Sequence, residues 1–169
     1  VRLGLLKSTY RLERGSHGDL YDLADRSLAK LGLDVPLTIY QAQGEEANAF
    51  LAYLPGEAHL GFSGSILDHL DEVERLAILG HERTHYYFFD VDDHHYLAGA
   101  DVLNAMAADR LGNSSHEGTV RLYQLYMESL CDRGGLLVCD NVDATITALV
   151  KTCTSATKVD PASYLRQAE

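Results

Sequence analysis

The residues best suited to chemistry in this chain lie in one short string, His81-Glu82-Arg83-Thr84-His85. Its two histidines are four apart, and on a helix that spacing puts both imidazoles on one face, within reach of a single zinc ion at ~2.0–2.1 Å. Glu82 lies between them, beside the place of a water held by such an ion. Zinc lowers the pKa of its water and polarises a carbonyl, and a neighbouring carboxylate can take the water's proton and pass it to a leaving amine. The string therefore points to metal-assisted hydrolysis of peptide bonds, with one Zn2+ as cofactor and Glu82 as base. An exposed polar helix turn could carry the same five residues, so the rest of the chain has to decide.

A catalytic zinc usually has three protein ligands, and the string supplies two. Further along, Glu128-Ser-Leu-Cys-Asp132 gives two carboxylates at i and i+4, flanked by Leu125, Tyr126, Met127 and Leu130. Apolar neighbours imply a buried position, where an uncompensated carboxylate is costly. Glu128 as third ligand, with Asp132 accepting the N–H of a ligating histidine, would meet that cost.

These residues need a scaffold, and the pattern supplies one. Asp71 and Glu74 form a capping box that starts the motif helix about ten residues before His81. Leu76-Ala-Ile-Leu-Gly80 makes that helix apolar nearly all round and hence central. Upstream, residues 20–33 carry leucines and alanines at helical spacing up to a stop at Gly32. Residues 37–40, 48–54 and 59–62 read as strands parted by turns at Gly44 and Pro55-Gly56. Three short strands in succession predict a small, mainly antiparallel sheet. Downstream, a polar break at 90–95 precedes helices over 96–111, 119–138 and 142–151, with a loop at 112–115 and a last short helix after Asp160-Pro161. The expectation is a single domain over 1–169 of class α+β, with a sheet packed on a bundle that carries the motif helix.

Taken in order, these pieces resemble the gluzincin metallopeptidases, in particular the family that includes the bacterial membrane protease HtpX and the CAAX prenyl endopeptidases. The resemblance spans roughly residues 37–150. It rests on Asn48-Ala49-Phe50, on residues 64–80 leading into the motif, on the motif itself, and on Glu128-Ser-Leu-Cys-Asp132-Arg-Gly-Gly135. It implies a zincin-like fold, an endopeptidase, zinc held by His81, His85 and Glu128, and a peptide substrate laid along the Asn48, Ala49 and Phe50 strand. The chain departs from its relatives at Arg83, where they often have an apolar residue, at Thr84, where glycine is frequent, and at Cys131, commonly alanine. The family's flanking transmembrane helices are also missing.

Composition narrows the remaining choices. Acidic residues outnumber basic ones 25 to 14 for a net charge of -11, which disfavours a phosphate-tracking surface and hence nucleic acid. No run approaches the ~20 apolar residues of a membrane span. The start at Val1 fits a fragment or processed form, so membrane association through other segments stays open. Cys131, Cys139 and Cys153 lack a Cys-x-x-Cys pair and read as reduced thiols, which favours a cytoplasmic setting. His94, His95 and His116 read as solvated loop histidines, Asp90 to Asp93 as a helix terminator, and Tyr86-Tyr87-Phe88-Phe89 as core with a possible share in the cleft. An oxyanion donor has no spacing signal; Tyr123, Tyr126, Arg133 and Arg166 are the candidates. Two alternatives remain: a silent zinc-stabilised module that binds peptide or protein, and a latent peptidase covered by residues 1–19 or 159–169.

Overall fold

Four short runs in the first third of the chain, parted by turns, build a four-stranded sheet, β1 (Thr9–Leu12), β2 (Leu37–Ala42), β3 (Asn48–Leu54) and β4 (Glu57–Ser63), in the order β1-β2-β4-β3. The computed structural model describes residues 7–108 and 114–168. β3 and β4 are antiparallel around a turn at Gly56, whose φ of 75° suits a residue without a Cβ. That hairpin inserts β4 against β2, so β2 and β4 run parallel, while β1 pairs antiparallel with β2. The sheet expected from sequence thus gains a strand and one parallel pairing. β1 left little signal because only Leu12 of its four residues is buried. β3 is left as an edge strand.

One face of the sheet packs on helices. α1 (Gly18–Leu31) buries Leu20, Leu23, Ala24 and Ser27 and stops at Gly32, which adopts the left-handed conformation at φ 66°. Tyr21 joins helix to sheet: its hydroxyl donates to the Leu12 carbonyl at 2.8 Å and accepts from the Ile39 N–H at 3.2 Å. After a single turn, α2 (Ile66–His69), the central helix α3 (Glu72–Asp90) begins at the expected capping box. Glu74 N–H donates to Asp71, and Asp71 N–H donates back to Glu74 at 2.9 Å. Glu74 also accepts from Lys151 at 2.7 Å, a buried ion pair in which the lysine further donates to the His69 carbonyl.

A 3-10 turn (Val91–His94) leads into α4 (His95–Ala108), followed by α5 (Ser114–Cys139), α6 (Val142–Thr154) and α7 (Pro161–Ala168). α5 starts five residues before the expected 119, because Gly118 does not interrupt it. The loop predicted at 112–115 falls partly outside the described residues, and 114–115 already belong to the helix; the end of the helix predicted over 96–111 also lies outside them. The core joins Ile39, Leu60 and Phe62 of the sheet to Leu76, Ala77 and Leu79 of α3, Val138 of α5 and Ala148 of α6. Each of the larger side chains among them contributes about 1.5–3 kcal/mol by leaving water.

The contact that positions the chemistry is between α3 and α5, and glycines set its closeness. A Cβ on Gly80 would stand 2.7 Å from Val138, one on Gly135 would stand 2.8 Å from the Ala77 carbonyl, and one on Gly134 would collide with Thr84. Thr84 is buried, with its hydroxyl donating to the Gly80 carbonyl at 2.8 Å. The threonine that departs from the family's usual glycine therefore occupies the room left by Gly134. Arg83 points the other way and is fully buried, and none of its three guanidinium nitrogens has a hydrogen-bond partner among the described residues.

Candidate metal centre

His81 and His85 project from the same face of α3, as i and i+4 positions must, with ring centroids 5.0 Å apart and Nε2 atoms at 3.3 Å. The close α3–α5 approach brings Glu128 to them. Its Oε2 lies 3.3 Å from His81 Nε2, and its Oε1 lies 3.7 Å from His85 Nε2. Among the described residues these three form the one group whose ligand atoms all fall within 4.8 Å of each other. A tetrahedral zinc with bonds of ~2.0–2.1 Å separates neighbouring ligand atoms by about 3.3–3.4 Å. The two histidine nitrogens stand at that separation, and each faces one oxygen of the Glu128 carboxylate, so the donor set fits zinc. Asp132 Oδ1 stands 3.0 Å from His81 Nδ1. Accepting a proton there selects the tautomer whose Nε2 lone pair faces His85 and Glu128.

The environment of each group follows from its neighbours. Burial pulls the His81 imidazole down, but the hydrogen bonds to Asp132 and Glu128 outweigh it and bring its pKa up to about 9. Burial lowers His85, and the His81 charge adds to that. Glu128 is held below its ordinary value by its hydrogen bond to His81. Glu82 is buried beneath the cleft, and loss of water raises it to about 7 against the pull of His81 and of a hydrogen bond from the Leu51 backbone. That last bond sets the edge strand β3 directly beside the motif. Cys131 is fully buried and its thiol is pushed up by burial, which fits a packed side chain.

These groups open into a cleft of about 830 Å³. Asn48, Ala49, Phe50 and Leu51 form one lip, the α3 and α5 residues its floor, and α6 with Tyr164 of α7 the opposite wall. Phe89 also lines it, stacked on His85, whereas Tyr86 is core. Two sequence expectations need correction. Leu125, Tyr126 and Leu130 face solvent, and the Glu128 and Asp132 side chains are 51% and 44% exposed, so the carboxylate pair is not enclosed by apolar neighbours. Its partners come from α3 across the cleft. Nor do the four residues considered as oxyanion donors line the cleft; Tyr123, for one, donates to the Tyr96 carbonyl. Tyr164 lines it instead, and only the Asp160-Pro161 helix start hinted at the element that carries it. His94 meets Tyr53 at 2.9 Å and belongs to no metal cluster among the described residues.

A family model described as Peptidase family M48 matches residues 16–168. No curated protein and no solved structure matches the chain.

Proposed function

The chain belongs to peptidase family M48, a family of zinc-dependent metallopeptidases, and from that footing we propose that it is an endopeptidase of the HtpX and CAAX prenyl endopeptidase type. His81, His85 and Glu128 hold the ion in this reading, and Asp132 fixes the His81 ring. Zinc, when bound, supplies Lewis acidity and lowers the pKa of the attacking water. Glu82, buried beside the ligands, would remove the proton of that water and deliver it to the leaving amine. Among the described residues Tyr164 carries the one phenol in the cleft lining, and we assign it the negative oxygen that develops on the scissile carbonyl. The peptide lies extended against β3, where Asn48, Ala49 and Phe50 offer an open edge. Three unpaired cysteines fit a reducing compartment such as the cytoplasm, and none of the described helices is long and apolar enough to cross a membrane.

The observation that carries this reading is the convergence of His81, His85 and Glu128, whose ligand atoms lie within 4.8 Å of one another, with the buried Glu82 carboxyl next to them. Metal analysis combined with Glu82→Gln tests it. The purified protein should carry one zinc, and the variant should keep that zinc while losing ~10²–10⁴-fold in peptide hydrolysis. A metal-free wild type in zinc-replete medium, or an undiminished variant, would overturn the assignment.

A further inference from the structure

Among the described residues β3 pairs with β4 alone, so its hold on the motif helix depends on what it reaches on α3. Two sets of contacts supply that hold. Beside the ligands, the Leu51 N–H bonds to Glu82. Two residues on, the Tyr53 hydroxyl meets the far end of α3, donating to Asp90 Oδ1 at 3.2 Å and lying 2.9 Å from His94 Nδ1. Burial and the Asp90 charge push that phenol up to about 12, so it keeps its proton. His94 Nδ1 also stands 3.1 Å from the Phe89 carbonyl, an acceptor, and therefore carries a proton of its own. The chain runs one way, from the His94 N–H to the Tyr53 oxygen and from the Tyr53 O–H to the Asp90 carboxylate.

The backbone bends to complete this chain. Asp93 and His94 have φ of 56° and 66°, a left-handed conformation that residues with a Cβ seldom adopt and that persists where surrounding contacts over-determine it. The Tyr53 ring adds packing to the bonds. Its centroid lies 5.2 Å from Tyr86 and, edge-on, 5.8 Å from Phe89, which is itself stacked on His85 at 6.2 Å. Neither binding an ion nor removing a proton needs these contacts, yet they join the edge strand to both the base and a ligand.

We infer that Tyr53 is a positioning residue: through Asp90 and His94 it clamps the edge strand to the end of the motif helix, and so sets where a peptide on β3 lies relative to Glu82 and the metal ligands. The inference rests on the peptidase reading and adds to it what aligns substrate with base. A peptide paired with the β3 backbone travels with that strand. Releasing the clamp keeps the pairing and moves the scissile carbonyl away from Glu82. A misplacement of about 1 Å costs up to ~10²-fold in rate, so the loss falls on kcat and spares KM.

Tyr53→Phe tests the clamp, because it deletes the hydroxyl and leaves the ring packed. In the zinc-loaded protein, kcat for a quenched fluorogenic peptide taken from a mixed-sequence library should fall ~10-fold, with KM within about twofold and zinc content unchanged. Asp90→Ala should match it, and Asp90→Asn, which keeps an acceptor, should recover most of the loss. Tyr53→Phe combined with Asp90→Ala should be no slower than either alone. The clamp is also readable without turnover, from hydrogen exchange of the Leu51 amide followed by NMR. Tyr53→Phe should speed that exchange at least ~10-fold and leave Leu60 and Phe62 of β4 unchanged. A structural role alone would lower the melting temperature and leave kcat, KM and Leu51 exchange where they were, and that result overturns the inference. So does a rise in KM at constant kcat, a loss of zinc that accounts for the slower turnover, or an Asp90→Asn protein as slow as Asp90→Ala. A wild type that cleaves no peptide, with Leu51 exchange still speeded by Tyr53→Phe, would sustain the clamp and remove the peptidase assignment.

Discussion

Arg83 sits inside the motif helix, fully buried and without a hydrogen-bond partner among the described residues, and replacing it with methionine should make the protein more stable. Burial pulls the guanidinium from its ordinary value down to about 10, with the Asp25 charge offsetting only part of the loss. At about 1.4 kcal/mol per pKa unit, that depression is a cost of about 3 kcal/mol to the folded state. A base whose pKa falls on folding binds its proton more weakly in the native state. The cost is therefore complete below pH 10 and disappears only as pH rises towards the guanidinium's ordinary value, so the gain from removing the charge should be flat from pH 6 to 9. Methionine keeps most of the apolar stem that arginine packs into the core. Replacing a buried ion by an apolar side chain of similar size is worth up to about 1–4 kcal/mol. Arg83→Met should thus gain about 1–3 kcal/mol in urea unfolding and about 3–10 °C in melting temperature. Zinc must be kept at one free concentration, because bound metal adds its own stabilisation. Arg83→Ala, which removes the charge and leaves a void, should fall below Arg83→Met. Since Arg83 does not line the cleft, hydrolysis should not change. A methionine variant less stable than wild type by 1 kcal/mol or more would mean that the guanidinium is satisfied and the reasoning from burial is wrong.

Three further outcomes follow from the site and its supports. Gly134→Ala drives a methyl into Thr84 and should cost about 1–3 kcal/mol; Thr84→Ala should recover most of it, and additive losses in the double-mutant cycle would deny the contact. Asp132→Ala removes the acceptor on His81 Nδ1 and should weaken zinc ~10–100-fold in competition with a chromogenic chelator; an unchanged affinity would show that Asp132 does not orient the ring. Metal uptake at pH 7 should release at least one proton, because His81 at about 9 keeps its proton until an ion displaces it. Calorimetry in two buffers of different ionisation enthalpy counts that proton, and a count of zero would contradict the His81 assignment.

What could be read from the sequence had local causes. The capping box Asp71 and Glu74, the left-handed stop at Gly32 and the i, i+4 geometry of His81 and His85 each depend on residues within one or two helical turns, and each appears in the structure at the expected position. What could not be read depended on partners far along the chain. β1 is a strand because the Tyr21 hydroxyl donates to its Leu12 carbonyl and β2 pairs with it, neither of which four residues can announce. The parallel β2–β4 pairing results from a hairpin that lays its second strand against β2 and leaves β3 at the edge. The Glu128 and Asp132 pair illustrates a subtler failure. Apolar sequence neighbours suggested enclosure, yet Tyr126 is 67% exposed and the carboxylates find their partners across a helix interface.

That interface explains why an apparently unfavourable substitution in the motif is tolerated. His81 and Glu128 are separated by 47 positions in sequence, and their 3.3 Å approach requires α3 and α5 to touch backbone to backbone at Gly80, Gly134 and Gly135. A threonine at 84 would ordinarily hold the helices apart. Here its side chain is accommodated because Gly134 offers no Cβ, and its hydroxyl returns to the Gly80 carbonyl, leaving no unpaired polar group in the contact. Thr84 and Gly134 are therefore one structural unit. The spacing of the three ligand atoms depends on that unit as much as on the ligands themselves, so a variant that enlarges Gly134 should loosen metal binding even though it touches no ligand.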